Sequence, residues 1–400
     1  MIWIVTELYY PEETSTGHFL TRIAEGLAQT GEVSVLCSQP TYSQRGIKAP
    51  TKEVHMGVKI CRCWGAKLNK DLLPFRIINI VTISVSIFLS GLVRFRRDDK
   101  VIVVTNPPLL PFLITIASKL KHNRTILLVH DVYPEVLVAS GILNPGSIVC
   151  KLIQSATRWL YETVKSVIVI GRDMKKIVVS KCGNADKVHL ITNWADLDIV
   201  KPLEREENSV LKAHGLHDQF VVQYCGNFGR THGLEYLLET AVETTNEENL
   251  HFLMVGSGAR KIWLEKQVAV QKITNITILP RCQRDDLNET LNACDVAVIS
   301  FVQGMSGVSV PSRMYNIMAA GKPILAIADA DSELASVVIE ENIGWVIPPG
   351  EIELLKSAIN DAKSDRIRLK EMGQRARMVA ESKYSFENII YKYRNLLDFI

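Results

Sequence analysis

Two glycine turns and one arginine turn hold the residues whose spacing offers the plainest chemistry. The glycine turns are Tyr224–Gly233 (YCGNFGRTHG) and Leu253–Gly258 (LMVGSG), and the third segment is Val310–Pro323 (VPSRMYNIMAAGKP). Each glycine turn follows an apolar run, Phe220–Tyr224 or His251–Val255, and opens toward a helical pattern. A strand that ends in glycines lets backbone amides approach an anion closely, and the next helix points its positive end there. Arg230 inside the first turn and Arg313 after Ser312 can add positive charge. Together these segments predict a nucleotide-diphosphate ligand spread over several loops, with Gly226, Asn227, Arg230, His232, Ser312 and Arg313 as its candidate contacts. The plainer readings are a solvated loop cation for either arginine and a helix cap for His232.

A second group lies in the first half of the chain. His130 and Asp131 follow the apolar run Thr125–Val129, at the strand end where a doubly wound domain places its chemistry. Glu135 stands at the next turn and is a weaker candidate for a hydroxyl contact. Gly17, after Ser15 and Thr16, opens the first long helical pattern and can let a diphosphate or sugar approach the backbone. Simple alternatives are a buried histidine bonded to a turn and a helix-entry glycine. After the run Ile276–Leu279, Pro280 and Arg281 are placed to offer groups to a base, with a plain strand-end turn as the other reading.

These residues need elements to position them. Strand-like runs from Ile2–Thr6 to Val188–Ile191, and again from Phe220–Tyr224 to Gly344–Val346, alternate with helical patterns such as Gly17–Thr30, Leu72–Arg94, Pro111–Lys121 and Ile148–Lys165. Short β runs separated by helices imply α/β architecture with parallel sheets covered on both faces. Four hundred residues suit two domains better than one core. The polar, proline-containing stretch Ile191–Glu207 places the hinge near Asn193–Pro202. The expected divisions are 1–195, 196–383, and a C-terminal helix in 384–400 that returns to the first domain.

Composition narrows the class. Hydrophobic residues make up 47% and charged residues 22%, and the net charge of +3 is too small to suggest nucleic acid. The eight cysteines are scattered without a CxxC pair, so free and mostly buried thiols are expected. The opening MIWIVTELYYP lacks a basic n-region and reads as a first strand, which leads us to expect a reducing, cytoplasmic location. One segment breaks the pattern. Ile77–Val93 holds no charge, with Lys67, Lys70 and Arg76 before it and Arg94, Arg96 and Arg97 after it. Asn79, Thr82, Ser86 and Ser90 recur through it at helical spacing. A buried or half-buried helix, a helix lying on a membrane, and a membrane span all fit this pattern.

Over nearly its whole length the chain resembles the retaining GT-B glycosyltransferases of family 4. The resemblance rests on YYPEETSTGHFLTRIAEGLA, VHDVYPE at 129–135, ITNWADLD, YCGNFGRTHGLEYLLETA, LMVGSG and PSRMYNIMAAGKPILAIA, in that order. Within the family it looks closest to the WbuB-like branch, associated with N-acetyl-L-fucosamine transfer in O-antigen or capsule synthesis. The resemblance implies two doubly wound Rossmann-like domains facing across a cleft, the first for the acceptor and the second for the nucleotide sugar. It implies a UDP-sugar donor, an undecaprenyl-diphosphate-linked saccharide as acceptor, and peripheral attachment to the cytoplasmic membrane face.

The resemblance also exposes departures. Family members carry a GRLxxxKG-type turn, whereas here Asn227 stands at the arginine position and His232 at the lysine position. The paired glutamates of many members are replaced by Val308 and Asn316, so no acid/base couple is available and Asn316 is the candidate for ribose. Asp329-Ala330-Asp331 matches the DxD pattern of metal-dependent GT-A enzymes, but an acidic helix start before Ser332 and Glu333 accounts for it. No metal or other cofactor is expected. Alternatives kept open are a soluble transferase acting on a small molecule, a non-catalytic nucleotide-sugar-binding subunit of an assembly complex, and an epimerase of similar fold.

Overall fold

Runs such as Lys100–Val104 (KVIVV) and Val296–Ser300 (VAVIS) are buried at almost every position, as parallel strands covered on both faces require. We describe them in a computed structural model, covering residues 1–41, 48–69 and 72–400. Lys70, one of the basic residues before the apolar segment, lies outside the described residues. Contacts divide the chain into unit 1 (Met1–Glu135, Leu143–Thr192 and Ile389–Ile400) and unit 2 (Val136–Ile142 and Asn193–Asn388).

Unit 1 begins with β1 (Ile2–Val5), α1 (Ser15–Ala28), β2 (Val33–Ser38), β3 (Lys52–His55) and β4 (Val58–Cys63). It continues with α2 (Leu73–Arg94), β5 (Lys100–Val104), α3 (Leu110–Lys121) and β6 (Arg124–Val129). The short α4 (Glu135–Ala139) follows, and Val136 and Ala139 pack against the core of unit 2. Unit 1 then resumes with α5 (Ile148–Thr163), β7 (Ser166–Val169), α6 (Arg172–Cys182) and β8 (Val188–Leu190). The strand order is β3-β4-β2-β1-β5-β6-β7-β8. All described pairs are parallel except β3 with β4. That hairpin was missed in the sequence because Lys52–His55 is a half-exposed edge with a single aliphatic residue, Val54.

Unit 2 contains α7 (Ser209–Ala213), β9 (Phe220–Asn227), α8 (Leu234–Glu243), β10 (Leu250–Ser257), α9 (Lys261–Gln271) and β11 (Ile276–Leu279). Next come α10 (Leu287–Asn292), β12 (Val296–Ser300), α11 (Arg313–Ala319), β13 (Ile324–Ile327), α12 (Glu333–Glu340) and β14 (Gly344–Ile347). The helices α13 (Ile352–Ser364), α14 (Arg366–Lys383) and α15 (Phe386–Phe399) follow. The sheet is wholly parallel, in the order β11-β10-β9-β12-β13-β14. Strand alternation divides its side chains between two cores. Val221, Leu253 and Ile299 join one, and Val222, Met254 and Val298 join the other.

The chain reverses direction across the sheet between β9 and β12, and in unit 1 between β1 and β5. Such switch points leave a crevice at the carboxyl ends of the strands. The last part of α15 belongs to unit 1. There Arg394 donates to the Gly26 carbonyl at 2.6 Å and to Gln29 Oε1 at 2.9 Å. Lys100 and Arg124 donate to the carbonyls of Leu397 and Ile400.

Candidate active site

In unit 2 the site is built on the ends of β9 and β10. Gly226 stands opposite Gly256 and Asn227 opposite Ser257. A methyl group on Gly256 would overlap the Gly226 carbonyl and lie 2.8 Å from the Phe228 ring, so only glycine lets the two strands end this close. Tyr224, fully buried one turn below, donates from its hydroxyl to the Asn227 carbonyl at 2.7 Å. Its ring carries the Arg313 guanidinium, 4.5 Å above the centroid. Arg313 Nη1 also donates to the Cys225 carbonyl at 3.3 Å, and the same group fills the space beside Gly226. A half-buried cation from the start of α11 is thereby held over the glycine turn at the switch point. No carboxylate partner engages it among the described residues.

The neighbouring candidates divide. Arg230 is exposed on the same turn, with no ion pair among the described residues. His232 is close enough to Arg313 to feel its charge, but burial first and that charge second push its pKa down to about 3. It is therefore neutral and supplies no replacement for the lysine charge of the family turn. Its ring packs at 5.5 Å from that of Phe301. Arg281 is exposed. The adjacent Cys282 thiol is hydrogen-bonded to that of Cys225, which brings the loop after β11 to the glycine turn. That bond is the first cause holding the Cys282 thiol below its ordinary range, with Thr290 and Arg281 acting the same way against burial.

Ser312 is half-buried beside Arg313. Asn316 has structural work: its Oδ1 accepts from the Asp196 amide at 2.8 Å, and its Nδ2 donates to Asp196 Oδ2 at 3.4 Å. Asp196 in turn pairs with Arg284 at 2.9 Å. The side chain expected to meet ribose is thus occupied in tying the 195–197 segment to α11. Asp329 accepts from the amides of Gly304 and Ser306 at 2.9 and 3.0 Å, and Ser332 caps α12. Asp329 therefore anchors the loop before Val310 rather than standing at a helix start.

In unit 1, the amides of His130 and Asp131 both donate to Thr105 Oγ1, at 3.1 and 3.3 Å. That hydroxyl fixes the turn leaving β6. The His130 ring keeps some surface but is enclosed enough that burial pushes its pKa down to about 4. It is a neutral donor or acceptor at pH 7. Two more candidates have partners within the protein. The first helix starts at Ser15, and the Gly17 amide is taken by Thr14 Oγ1 at 3.2 Å. Gly17 is glycine because a side chain would meet the Glu12 carbonyl at 2.8 Å, so close packing within the turn accounts for it. Glu135 is paired with Lys181 at 2.5 Å, and that lysine also donates to the Tyr133 carbonyl at 3.0 Å. Both residues belong to unit 1, and the pair fixes the turn at 133–135 against α6.

Residues 206–379 match the family described as Glycosyl transferases group 1. Over 292 residues the chain is 32% identical to a Pseudomonas aeruginosa protein named as a glycosyltransferase, WbjE, covering 73% of this chain and 72% of that one. The chain belongs to the glycosyl transferases group 1 family. It is a glycosyltransferase. A second member, named as the colanic acid biosynthesis glycosyl transferase WcaI of Escherichia coli K12, is 25% identical over 401 residues, 97% of each chain. Among solved structures, HepE of Anabaena in complex with UDP superposes with a TM-score of 0.75 at 14% identity, covering both chains fully. The lipopolysaccharide glycosyltransferase WaaG superposes with a TM-score of 0.71 at 14% identity over 99% of each. These likenesses establish the GT-B fold.

Several residues of this family member carried no signal in the sequence. Tyr224 lies in an apolar strand and looks like any core aromatic, yet it is the platform for Arg313. Asp196 and Arg284 are separated by 88 positions, and nothing local predicts that they meet. Cys282 was one of eight scattered cysteines, and its pairing with Cys225 arises only because β9, β10 and β11 are adjacent.

Proposed function

We propose that this glycosyltransferase moves an amino or deoxy sugar, with N-acetyl-L-fucosamine as first choice, from UDP to a lipid-diphosphate-linked saccharide of the O-antigen or capsule kind. The observation that carries the donor half is the Arg313 guanidinium stacked over Tyr224 at the glycine turn, with no carboxylate on it among the described residues. A half-buried cation without a carboxylate calls for an anion, and a diphosphate beside the amides of a glycine turn answers it. Gly226, Asn227, Arg230 and Ser312 complete that grip, and the 280–284 loop offers backbone to the base. Support comes from HepE, whose solved complexes contain UDP and UDP-glucose. Support for the class of product comes from the colanic acid and lipopolysaccharide roles in the names of WcaI and WaaG.

The chemistry follows from what the site lacks as well as what it has. With Val308 and Asn316 in place of the paired glutamates, no carboxylate couple serves as nucleophile and acid. The leaving phosphate accepts the acceptor's proton on the face it departs from, giving retention, while the protein positions both substrates and stabilises the developing charge. His130 and Asp131 orient the donor sugar or the acceptor hydroxyl, with His130 acting as a neutral hydrogen-bonding group. We propose that no metal takes part.

A mass-spectrometric screen of UDP-sugars with a diphosphate-lipid N-acetylglucosamine acceptor tests this reading, with and without EDTA. Transfer of an amino sugar with release of UDP, unchanged by EDTA, is the expected result. UDP binding without turnover across the panel would return the chain to a binding-subunit role, and transfer only to small soluble acceptors would remove the lipid acceptor.

A further inference from the structure

Two half-buried cysteines of unit 2, Cys225 and Cys282, meet beside the glycine turn. Cys225 falls on the face of the sheet that carries Val221 and Val255, and α10 covers that face with Leu287 and Leu291. β10 stands between β9 and β11, so the two thiols come together only because the loop after Leu279 turns back toward β9. There the Cys282 thiol is hydrogen-bonded to that of Cys225 and to the side chain of Thr290. Thr290 is itself fixed, since its carbonyl accepts from Gln223 Nε2 at 2.7 Å.

The two sulfurs are unequal. The bond to Cys282 first and burial second hold the Cys225 thiol well above its ordinary range. The same bond, with Thr290 and Arg281, holds the Cys282 thiol below its own. A thiolate with some surface, set against a protonated thiol, is the arrangement of an attacking and a resolving cysteine. Cys37, Cys61 and Cys63 also lie near one another in unit 1, but there burial raises the thiols of Cys37 and Cys63 and suppresses the nucleophile. The unit 2 pair is also joined to the candidate donor site through its backbone. The Cys225 carbonyl accepts from Arg313 Nη1 at 3.3 Å, and Gly226 follows it. Further along the loop of Cys282, Arg284 pairs with Asp196 at 2.9 Å.

We propose that Cys225 and Cys282 close into a reversible disulfide when the protein meets a hydroperoxide, and that this bond weakens donor binding at the glycine turn. The Cys282 sulfur attacks one peroxide oxygen, an S–O bond forms as the O–O bond breaks, and the departing hydroxide leaves as water. The Cys225 sulfur then attacks Cys282, its proton goes to the leaving hydroxide, and an S–S bond and a second water result. Both sulfurs are oxidised and the peroxide is reduced; a small-molecule dithiol reverses the change by exchange. A covalent bond is shorter than the contact it replaces and fixes its own torsion, so the loop and the end of β9 must both shift. The carbonyl that steadies Arg313 moves with them. The disulfide depends only on the thiol pair, whereas its effect rests on the reading of the glycine turn as the UDP site.

Peptide mass spectrometry without reduction tests the first part, on the full chain treated with hydrogen peroxide and blocked with N-ethylmaleimide. A cross-link between Cys225 and Cys282 is expected, and dithiothreitol should remove it. Cys225→Ser lacks the resolving thiol, so peroxide should leave it with a sulfenic acid on Cys282 that dimedone labels. Isothermal titration tests the second part. The oxidised parent should bind UDP about tenfold more weakly than the reduced parent, the loss expected when one charge-assisted bond is disturbed. Dithiothreitol should restore the affinity, and Cys282→Ser should bind UDP equally before and after peroxide. Circular dichroism checks that both variants fold, and the comparison within the parent stands without them. No cross-link, a cross-link among Cys37, Cys61 and Cys63 in its place, or a cross-linked parent that binds UDP as tightly as the reduced one overturns the proposal. A reduced parent that does not bind UDP removes the donor reading and the effect with it, while the peptide map still decides the disulfide.

Discussion

Replacing Arg313 with alanine removes a half-buried cation held over the glycine turn. Two losses follow, and they are separable. Within the protein, the variant gives up the stack on Tyr224 at 4.5 Å and one bond to the Cys225 carbonyl at 3.3 Å. A cation–π contact contributes about 0.5–2 kcal/mol and the long neutral-acceptor bond about 1 kcal/mol or less. At roughly 2–4 °C per kcal/mol for a unit of this size, the melting point should fall by about 1–12 °C. For the ligand, a charge-assisted bond to a diphosphate oxygen is worth about 1.5–3 kcal/mol, or about 10- to 100-fold in affinity. Isothermal titration with UDP reads the second quantity and differential scanning fluorimetry the first. Arg313→Lys keeps a charge but loses the planar stack and the fork of donors, so it should fall between the parent and the alanine variant. A folded Arg313→Ala protein that binds UDP as tightly as the parent would refute the assignment.

Four further outcomes can be checked. Gly256→Ala must push the ends of β9 and β10 apart, because the added carbon overlaps the Gly226 carbonyl; both melting point and UDP affinity should drop, by titration and fluorimetry. Asn316→Asp sets two carboxylates against each other where the present contact to Asp196 is 3.4 Å, so it should lower the melting point more at pH 7 than at pH 4. His130 and His232 titrate at about 4 and about 3 in the folded chain, against an ordinary 6.5. As pH falls below 6.5 the unfolded chain takes up these protons first, so stability is whole above 6.5 and is lost toward pH 4, by up to about 1.4 kcal/mol per pH unit for each ring. Melting scans of His232→Gln should show a shallower acid slope than the parent. Cys282, with its thiol held below the usual range, should be alkylated by iodoacetamide ahead of the other cysteines by peptide mass spectrometry, and UDP should slow the reaction.

Much of this could be read from the residues alone, for a physical reason. Strands buried on both faces must be continuous apolar runs, so β5, β6, β9 and β12 announce themselves, as do the glycine turns that end β9 and β10. Edge structure is quieter: β3 exposes half its side chains and pairs through its backbone, leaving little pattern. The polar stripe of α2 was legible as a stripe, but not which way it faced, because period and direction are independent until the segment 63–69 supplies partners, as Leu68 does for Asn79 and Ala66 for Thr82. Long-range pairings explain the remaining surprises. Asn316 and Glu135 gave no sign of their bonds to Asp196 and Lys181, because those partners are 120 and 46 positions away.

The return of α15 to unit 1 bears on how the molecule is made. On the ribosome, the residues of unit 1 up to Thr192 emerge first and have all eight strands of their sheet, but Ile389–Ile400 is synthesised only after the rest of unit 2. The partners waiting for it, Lys100, Arg124 and the end of α1, stay uncovered for that whole interval. A nascent chain arrested before residue 389 should therefore be cut by protease near the base of unit 1 while its second half already resists.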